Sequence, residues 1–151
     1  MRLRRGQLAD MAPLARLYRE TVRASLPFVP ERHGPSEDVS SFAERLFPSL
    51  EFWVGEDAWL RPMGYIAFRP DFIEHLFLAP AHQGRGLGAR LLGKAMENAE
   101  ELSLWTFQQN LRARRFYERH GFVAVLETDG LDNQEQIPDV LYRWRRTGRT
   151  S

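Results

Sequence analysis

The chain has 151 residues, 43% hydrophobic and 27% charged, which is the range of one ordinary globular domain with a sizeable core. A formal net charge of +1 gives no field that would favour nucleic acid as the main partner. The cysteine count is zero, which excludes disulfides, cysteine-ligated zinc and a cysteine nucleophile, and no metal site is expected. No stretch approaches about 18 apolar residues, so no membrane partner is expected. No apolar run follows Arg2, Arg4 and Arg5, so no signal peptide is expected and the cytoplasm is the default location.

In chain order, Met1 to Arg5 reads as a short strand. Asp10 is placed to cap a helix through about Ala24, with Leu14, Leu17, Tyr18 and Thr21 on one stripe. A Pro-rich irregular loop follows, Leu26 to Pro35. Ser36 is placed to cap a second helix with Val39, Phe42, Ala43 and Leu46 inward, ended by Pro48. Glu51 to Glu56 and Met63 to Phe68 read as a hairpin. Phe72 to Ala79 is a further strand, closed by Pro80. A helical run covers Ala89 to Leu102, with Leu91, Leu92, Ala95, Met96 and Ala99 inward. Ser103 to Gln108 is a strand and Leu111 to His120 a helix closed by Gly121. Phe122 to Glu127 and Val140 to Trp144 are the last strands. One domain is expected over 1–146, with 147–151 a frayed tail.

The segment Gln83-Gly84-Arg85-Gly86-Leu87-Gly88 carries the most chemistry. A glycine-rich turn that ends a strand and opens a helix gathers free backbone N–H groups at a positive helix N-terminus, a site for phosphate or pyrophosphate. A nucleotidase loop would end in Gly-Lys-Ser/Thr, and Gly88 is followed by Ala89-Arg90. A dinucleotide fingerprint fits Gly84-x-Gly86-x-x-Ala89, but the next strand ends Phe107-Gln108-Gln109-Asn110 without the acid that fingerprint needs. The remaining readings are a pyrophosphate loop of another kind and a turn that only connects elements.

The pattern Gln83-x-x-Gly86-x-Gly88 resembles the pyrophosphate loop of GNAT-superfamily N-acetyltransferases. Ile73-Glu74-His75-Leu76-Phe77-Leu78-x-Pro80-x-x-Gln83 resembles that family's fourth strand running into the loop. Asn110-x-x-Ala113-x-x-Phe116-Tyr117-x-x-x-Gly121-Phe122 resembles its second landmark. Leu104-Trp105-Thr106-Phe107-Gln108 and Pro138-Asp139 to Trp144 resemble a bacterial subgroup of mostly unassigned acceptor. The resemblance implies an α/β fold of the GNAT (acyl-CoA N-acyltransferase) type. Its mixed central sheet has about seven strands and four helices, in the order β-α-α-β-β-β-α-β-α-β-β.

It also implies acetyl-CoA as cosubstrate and an N-acetyltransferase acting on a primary amine by direct transfer in a ternary complex. The alternative is a non-catalytic acyl-CoA-binding module in the same fold. The pantetheine arm would lie against Leu76, Phe77 and Leu78, where the fourth and fifth strands part, with Asn110 nearby. The pyrophosphate would rest on Gln83, Gly84, Arg85, Gly86, Leu87, Gly88 and Ala89, with Arg85 or Arg90 adding charge. Tyr117 would protonate the departing thiolate, or else simply pack as an aromatic.

The base that takes the amine proton is Glu74, with His75 the rival and a water chain the third possibility. Only one of Glu74 and His75 can face the cleft on a regular strand. The amine, small molecule or peptide, would enter between Leu26–Pro35 and Asp129–Ile137. Phe28, Glu31, His33, Asp132 and Glu135 would line its path. Arg112, Arg114, Arg115 and Arg119 read as a solvated helix face, and a homodimer is left open.

Overall fold

The computed structural model describes residues 1–147, so the expected tail lies outside the described residues except for Thr147. Seven strands form one sheet: β1 (Arg2–Arg5), β2 (Glu51–Glu56), β3 (Pro62–Arg69), β4 (Phe72–Leu78), β5 (Glu101–Phe107), β6 (Val123–Glu127) and β7 (Asp139–Arg145). Their spatial order is β1-β2-β3-β4-β5-β7-β6. Every pairing is antiparallel except β4 with β5. Four helices complete the fold: α1 (Met11–Ser25), α2 (Pro35–Ser41), α3 (Leu87–Met96) and α4 (Leu111–Arg119). This is the expected α/β order, and no described helix is long and apolar enough to cross a membrane.

The helices cover the two faces of the sheet. On one, Met11, Leu14 and Leu17 of α1 and Phe42 pack on Phe52, Val54, Tyr65 and Ala67. On the other, Leu87, Leu91, Leu92 and Ala95 of α3 and Tyr117 of α4 pack on Ile66, Ile73, Leu104, Val140 and Tyr142. Leu91 and Leu92 are wholly buried, and each contributes about 1.5–3 kcal/mol relative to exposure.

Several element ends differ from the sequence expectation for tertiary reasons. Asp10 stands at the N-cap position of α1, as expected, but its side chain makes no cap bond to the helix. Its carboxylate accepts from Arg4 at 2.7 and 2.8 Å and from the Gln7 N–H at 2.7 Å, and a 3₁₀ turn, Leu8–Asp10, precedes the helix. Gly34 rather than Ser36 stands at the start of α2. Pro35 supplies a preset φ at the first position, and Glu37 accepts from the Gly34 N–H at 3.1 Å. The helix continues as a π-helical turn over Phe42–Leu46.

α3 ends at Met96 although its apolar period runs on to Leu102. Arg146, from beyond β7, donates to the carbonyls of Met96 and of Ala99, the latter at 3.1 Å, so a distant guanidinium caps this end. Ala99 and Leu102 remain buried because the chain turns there into β5.

Candidate active site

β4 and β5 share the register Phe72↔Ser103 and then part, so β4 runs on to Leu78 with no ladder partner on its β5 side. The split opens a groove of about 750 Å³. Its walls include Leu76, Phe77 and Leu78 of β4, Gln83, Gly84, Gly86, Gly88 and Ala89 of the loop, and Asn110 and Tyr117 at α4. Arg85 and Leu87 do not line it. Arg85 is exposed, and the Leu87 side chain is wholly buried beneath the loop.

The loop is built for close approach. Gly84 and Gly86 have φ of 79° and 82°, a region costly for any residue with a Cβ. A Cβ at Gly86 would meet nothing within 4 Å, so that side of the loop is open. No backbone N–H from Gly84 to Ala89 donates to a carbonyl in a turn or loop among the described residues. The first N–H groups of α3 have no intrahelical acceptor in any case. Gln83 fixes the approach to the loop by donating to the Leu78 carbonyl at 3.1 Å.

Across the groove, the Asn110 side chain accepts from the Ala113 N–H at 3.2 Å and caps α4 while lining the cavity. Tyr117 is 8% exposed. Burial pushes its phenol well above the ordinary tyrosine range, and its hydroxyl has no hydrogen-bond partner among the described residues. The helix that carries it is tied to the sheet, since Tyr142 donates to Glu118 at 2.6 Å and Arg114 donates to Tyr142 at 3.0 Å.

Glu74 and His75 do not line the groove. β4 has an irregular register at Glu74, with Phe68 opposite Ile73 and Ala67 opposite His75. Glu74 is exposed and ion-paired to Arg69 at 2.8 Å, and the same guanidinium lies 5.1 Å from the Phe72 ring centroid. His75 points to the α1 side, among Tyr18, Phe42 and Phe77, and bonds Tyr65 Oη through Nδ1 at 2.9 Å. Burial there lowers its pKa to about 4, so the ring is neutral near pH 7.

The two loops expected to admit the acceptor reach the same end of the sheet. Phe28 meets Phe107 of β5 edge to face at 5.8 Å. Glu31 is held by Arg19 at 3.3 Å and by Arg23, and His33 pairs with Glu37 at 3.2 Å. Asp132 and Glu135 hold no ion pair among the described residues, Asp132 exposed and Glu135 half-buried. Burial, then the charges of Glu135 and Asp38, push the Tyr18 phenol upward.

Sequence reasoning missed part of the wall. Thr21 and Ser25 come from α1 and Leu26 from just past its end; Arg112, Ala113, Phe116 and Arg119 come from α4 and His120 from just past its end. The spacing of Ala113, Phe116, Tyr117 and His120 marked one helix face, but nothing local said that the face opens onto the glycine loop.

A sheet split beside a cradle of free amides is the architecture of an acyl-CoA-dependent acyltransferase. The chain belongs to the acetyltransferase (GNAT) family, which it matches over residues 14–122. It is 23% identical over 142 residues to the peptidyl-lysine N-acetyltransferase YjaB of Salmonella typhimurium, covering 93% of this chain and 97% of that one. It is 33% identical over 79 residues to the probable N-acetyltransferase Rv2775 of Mycobacterium tuberculosis, covering 46% and 45%. Among solved structures, apo YjaB of Escherichia coli superposes with a TM-score of 0.77 at 22% identity over 95% of this chain and 96% of that chain. The acetyl-CoA complex of yncA from Salmonella typhimurium gives 0.76 at 17% identity over 100% and 96%.

Proposed function

We propose that this protein transfers an acetyl group from acetyl-CoA to a primary amine, directly, within a ternary complex. The observation that carries the reading is the parted β4–β5 edge leading onto unpaired amides at Gly84–Ala89, with Tyr117 in the opposite wall. These residues fit CoA: a long groove for the arm, an open glycine face for the pyrophosphate, and no side chain at Gly86 to block it. When bound, acetyl-CoA supplies an acetyl thioester.

The protein's own residues then divide the work. Leu76, Phe77 and Leu78 hold the arm along β4 in the manner of an added strand. Gln83 and the glycine loop, with Arg85 or Arg90, fix the diphosphate end. Tyr117 Oη holds the proton that the leaving sulfur takes up, and its burial keeps it protonated. The amine proton leaves through water, the third of the routes considered. What supports that route is the Glu74–Arg69 ion pair outside the groove and the low basicity of His75.

The acceptor is a cationic amine of the lysine kind, small or peptide-borne. Glu135, half-buried with no ion pair, supports this, as does the name peptidyl-lysine N-acetyltransferase carried by the YjaB relatives. The cytoplasm, where acetyl-CoA is at hand, remains the proposed location.

The test is thiol release from acetyl-CoA over a panel of amines and lysine peptides. Release that depends on the amine, and that drops in Tyr117→Phe, is expected. CoA binding with no release for any amine would leave the non-catalytic binding module.

A further inference from the structure

Half of one sheet face has no helix packed over it. The apolar cluster beneath α1 and α2 takes in side chains of β2, β3 and β4, and none from β5, β6 or β7 among the described residues. On the opposite face, Leu102 and Leu104 of β5 and Val140 and Tyr142 of β7 belong to the core under α3 and α4. Side chains alternate along a strand, so Trp105 and Leu141 point away from that core and onto the uncovered half. Trp105 stands directly opposite Leu141, and Leu141 directly opposite Leu126 of β6. The three form one apolar row across β5, β7 and β6. Trp105 is 43% and Leu126 51% exposed, with Leu141 half-buried between them.

The row begins at the split in the sheet. β5 is in register with β4 at Ser103, and Trp105 lies two residues further on, along the parted edge. Phe107, on the same side of β5 as Trp105, meets Phe28 of the 26–35 loop, so the row is continuous with the acceptor mouth. Arg143, the next residue on this side of β7, is matched to Glu101 at 3.1 Å. The unmatched charge beside the mouth is negative: Asp132 and Glu135 stand on the loop that joins β6 to β7.

We infer that this row is the docking surface for a polypeptide segment that carries the acceptor lysine, with apolar side chains of that segment on Trp105, Leu141 and Leu126. This rests on the proposed acetyl transfer to a lysine-like amine and narrows the acceptor to a peptide-borne one. A small free amine would leave the row wet. Neighbouring strands lie about 4.8 Å apart, so the row spans about 10 Å, the length of about three extended residues. The apolar residue that covers it therefore stands within about four residues of the lysine. An apolar row beside an acidic loop fits a cationic segment with large apolar side chains, and disfavours an acidic one.

Amine kinetics on the full chain with acetyl-CoA tests it. The acceptors compared are a short peptide with one lysine and leucines on either side, the same peptide with serines in their place, and lysine capped at both ends. The parent's KM for the leucine peptide should lie at least about tenfold below that for the serine peptide. In the Trp105→Ser/Leu126→Ser variant the two should agree within about twofold. The variant's KM values for acetyl-CoA and for capped lysine, close to the parent's, would show that its fold and cleft are intact. Equal KM values for the two peptides in the parent, or a leucine preference that survives in the variant, would overturn the docking surface while leaving acetyl transfer standing. A capped-lysine KM that rises in the variant as far as the peptide's would overturn it too. So would light scattering that finds the parent dimeric and the variant monomeric, because a second copy would then cover the row. Failure of the parent to acetylate any of the acceptors would overturn the proposed function and the surface together.

Discussion

Tyr65 Oη and His75 Nδ1 lie 2.9 Å apart, and this bond sets the tautomer of the histidine. Tyr65 is wholly buried and its hydroxyl has no other partner, so its O–H donates to Nδ1 and the His75 proton sits on Nε2. His75 is thus a neutral ring held by aromatic neighbours, and it presents a donor to its surroundings instead of a lone pair.

A pH dependence follows. The folded pKa of about 4 lies below the ordinary value of 6.5, so below about pH 6.5 the unfolded chain binds a proton that the folded one refuses. Stability should fall by on the order of 2–3 kcal/mol as pH drops from about 6.5 to 4 and change no further on this account below that. Asp10, whose pKa is lowered by Arg4, loses its contribution only at lower pH. Urea unfolding at pH 7 and 4.5 should show the loss, and His75→Gln should flatten it. A His75 ring resonance titrating near 6.5 would contradict the account.

Arg4 and Glu56 form a partly buried pair at 2.8 Å, with Glu56 only 3% exposed. Arg4→Met leaves Glu56 with only the exposed Arg2, 3.7 Å away, and takes the partner from Asp10 as well. A loss of about 3–5 kcal/mol is expected, and adding Glu56→Met should restore part of it. Thermal unfolding of the single and double variants reads the difference.

Gly86→Val should weaken CoA binding at least about tenfold, about 1.4 kcal/mol, with circular dichroism unchanged. The structure refines the cause. The new side chain meets no neighbour, so it strains a left-handed residue and fills the open side of the loop.

Tyr117→Phe should lower kcat by on the order of a hundredfold or more while acetyl-CoA binding holds, because the ring and its packing on Phe122 remain. Stopped-flow thiol release with saturating amine measures it, and a kcat within about twofold of the parent would return Tyr117 to a packing role.

The acidic residues of the two loops should separate in their effects. Glu135→Gln should raise the amine KM and leave the acetyl-CoA KM alone. Asp132→Asn, exposed and without an ion pair, should act in the same direction but less. Glu31→Gln removes an anchor shared by Arg19 and Arg23, so it should loosen the 26–35 loop and alter KM for several amines without selectivity. Steady-state kinetics on a cationic and a neutral amine distinguishes these cases.

Local periodicity and turn chemistry made a large part of this protein legible from its residues alone. The strand and helix order, the glycine loop between β4 and α3, the Asn110 cap and the Tyr117 helix face are each set within about a dozen neighbouring residues, where hydrophobic period and backbone freedom act directly. Features set by distant partners emerged with the folded chain. Arg146 stops α3 at Met96, and Arg4 draws Asp10 away from capping α1. A one-residue irregularity at Glu74 decides which β4 side chains face which layer, because side chains alternate along a strand and one extra residue reverses their sense. Arg112 and Arg119 of α4 read as a solvated face from their spacing alone. Their place in the wall of the groove depends on how α4 packs beside the glycine loop, a relation between segments some twenty residues and more apart that no local pattern encodes.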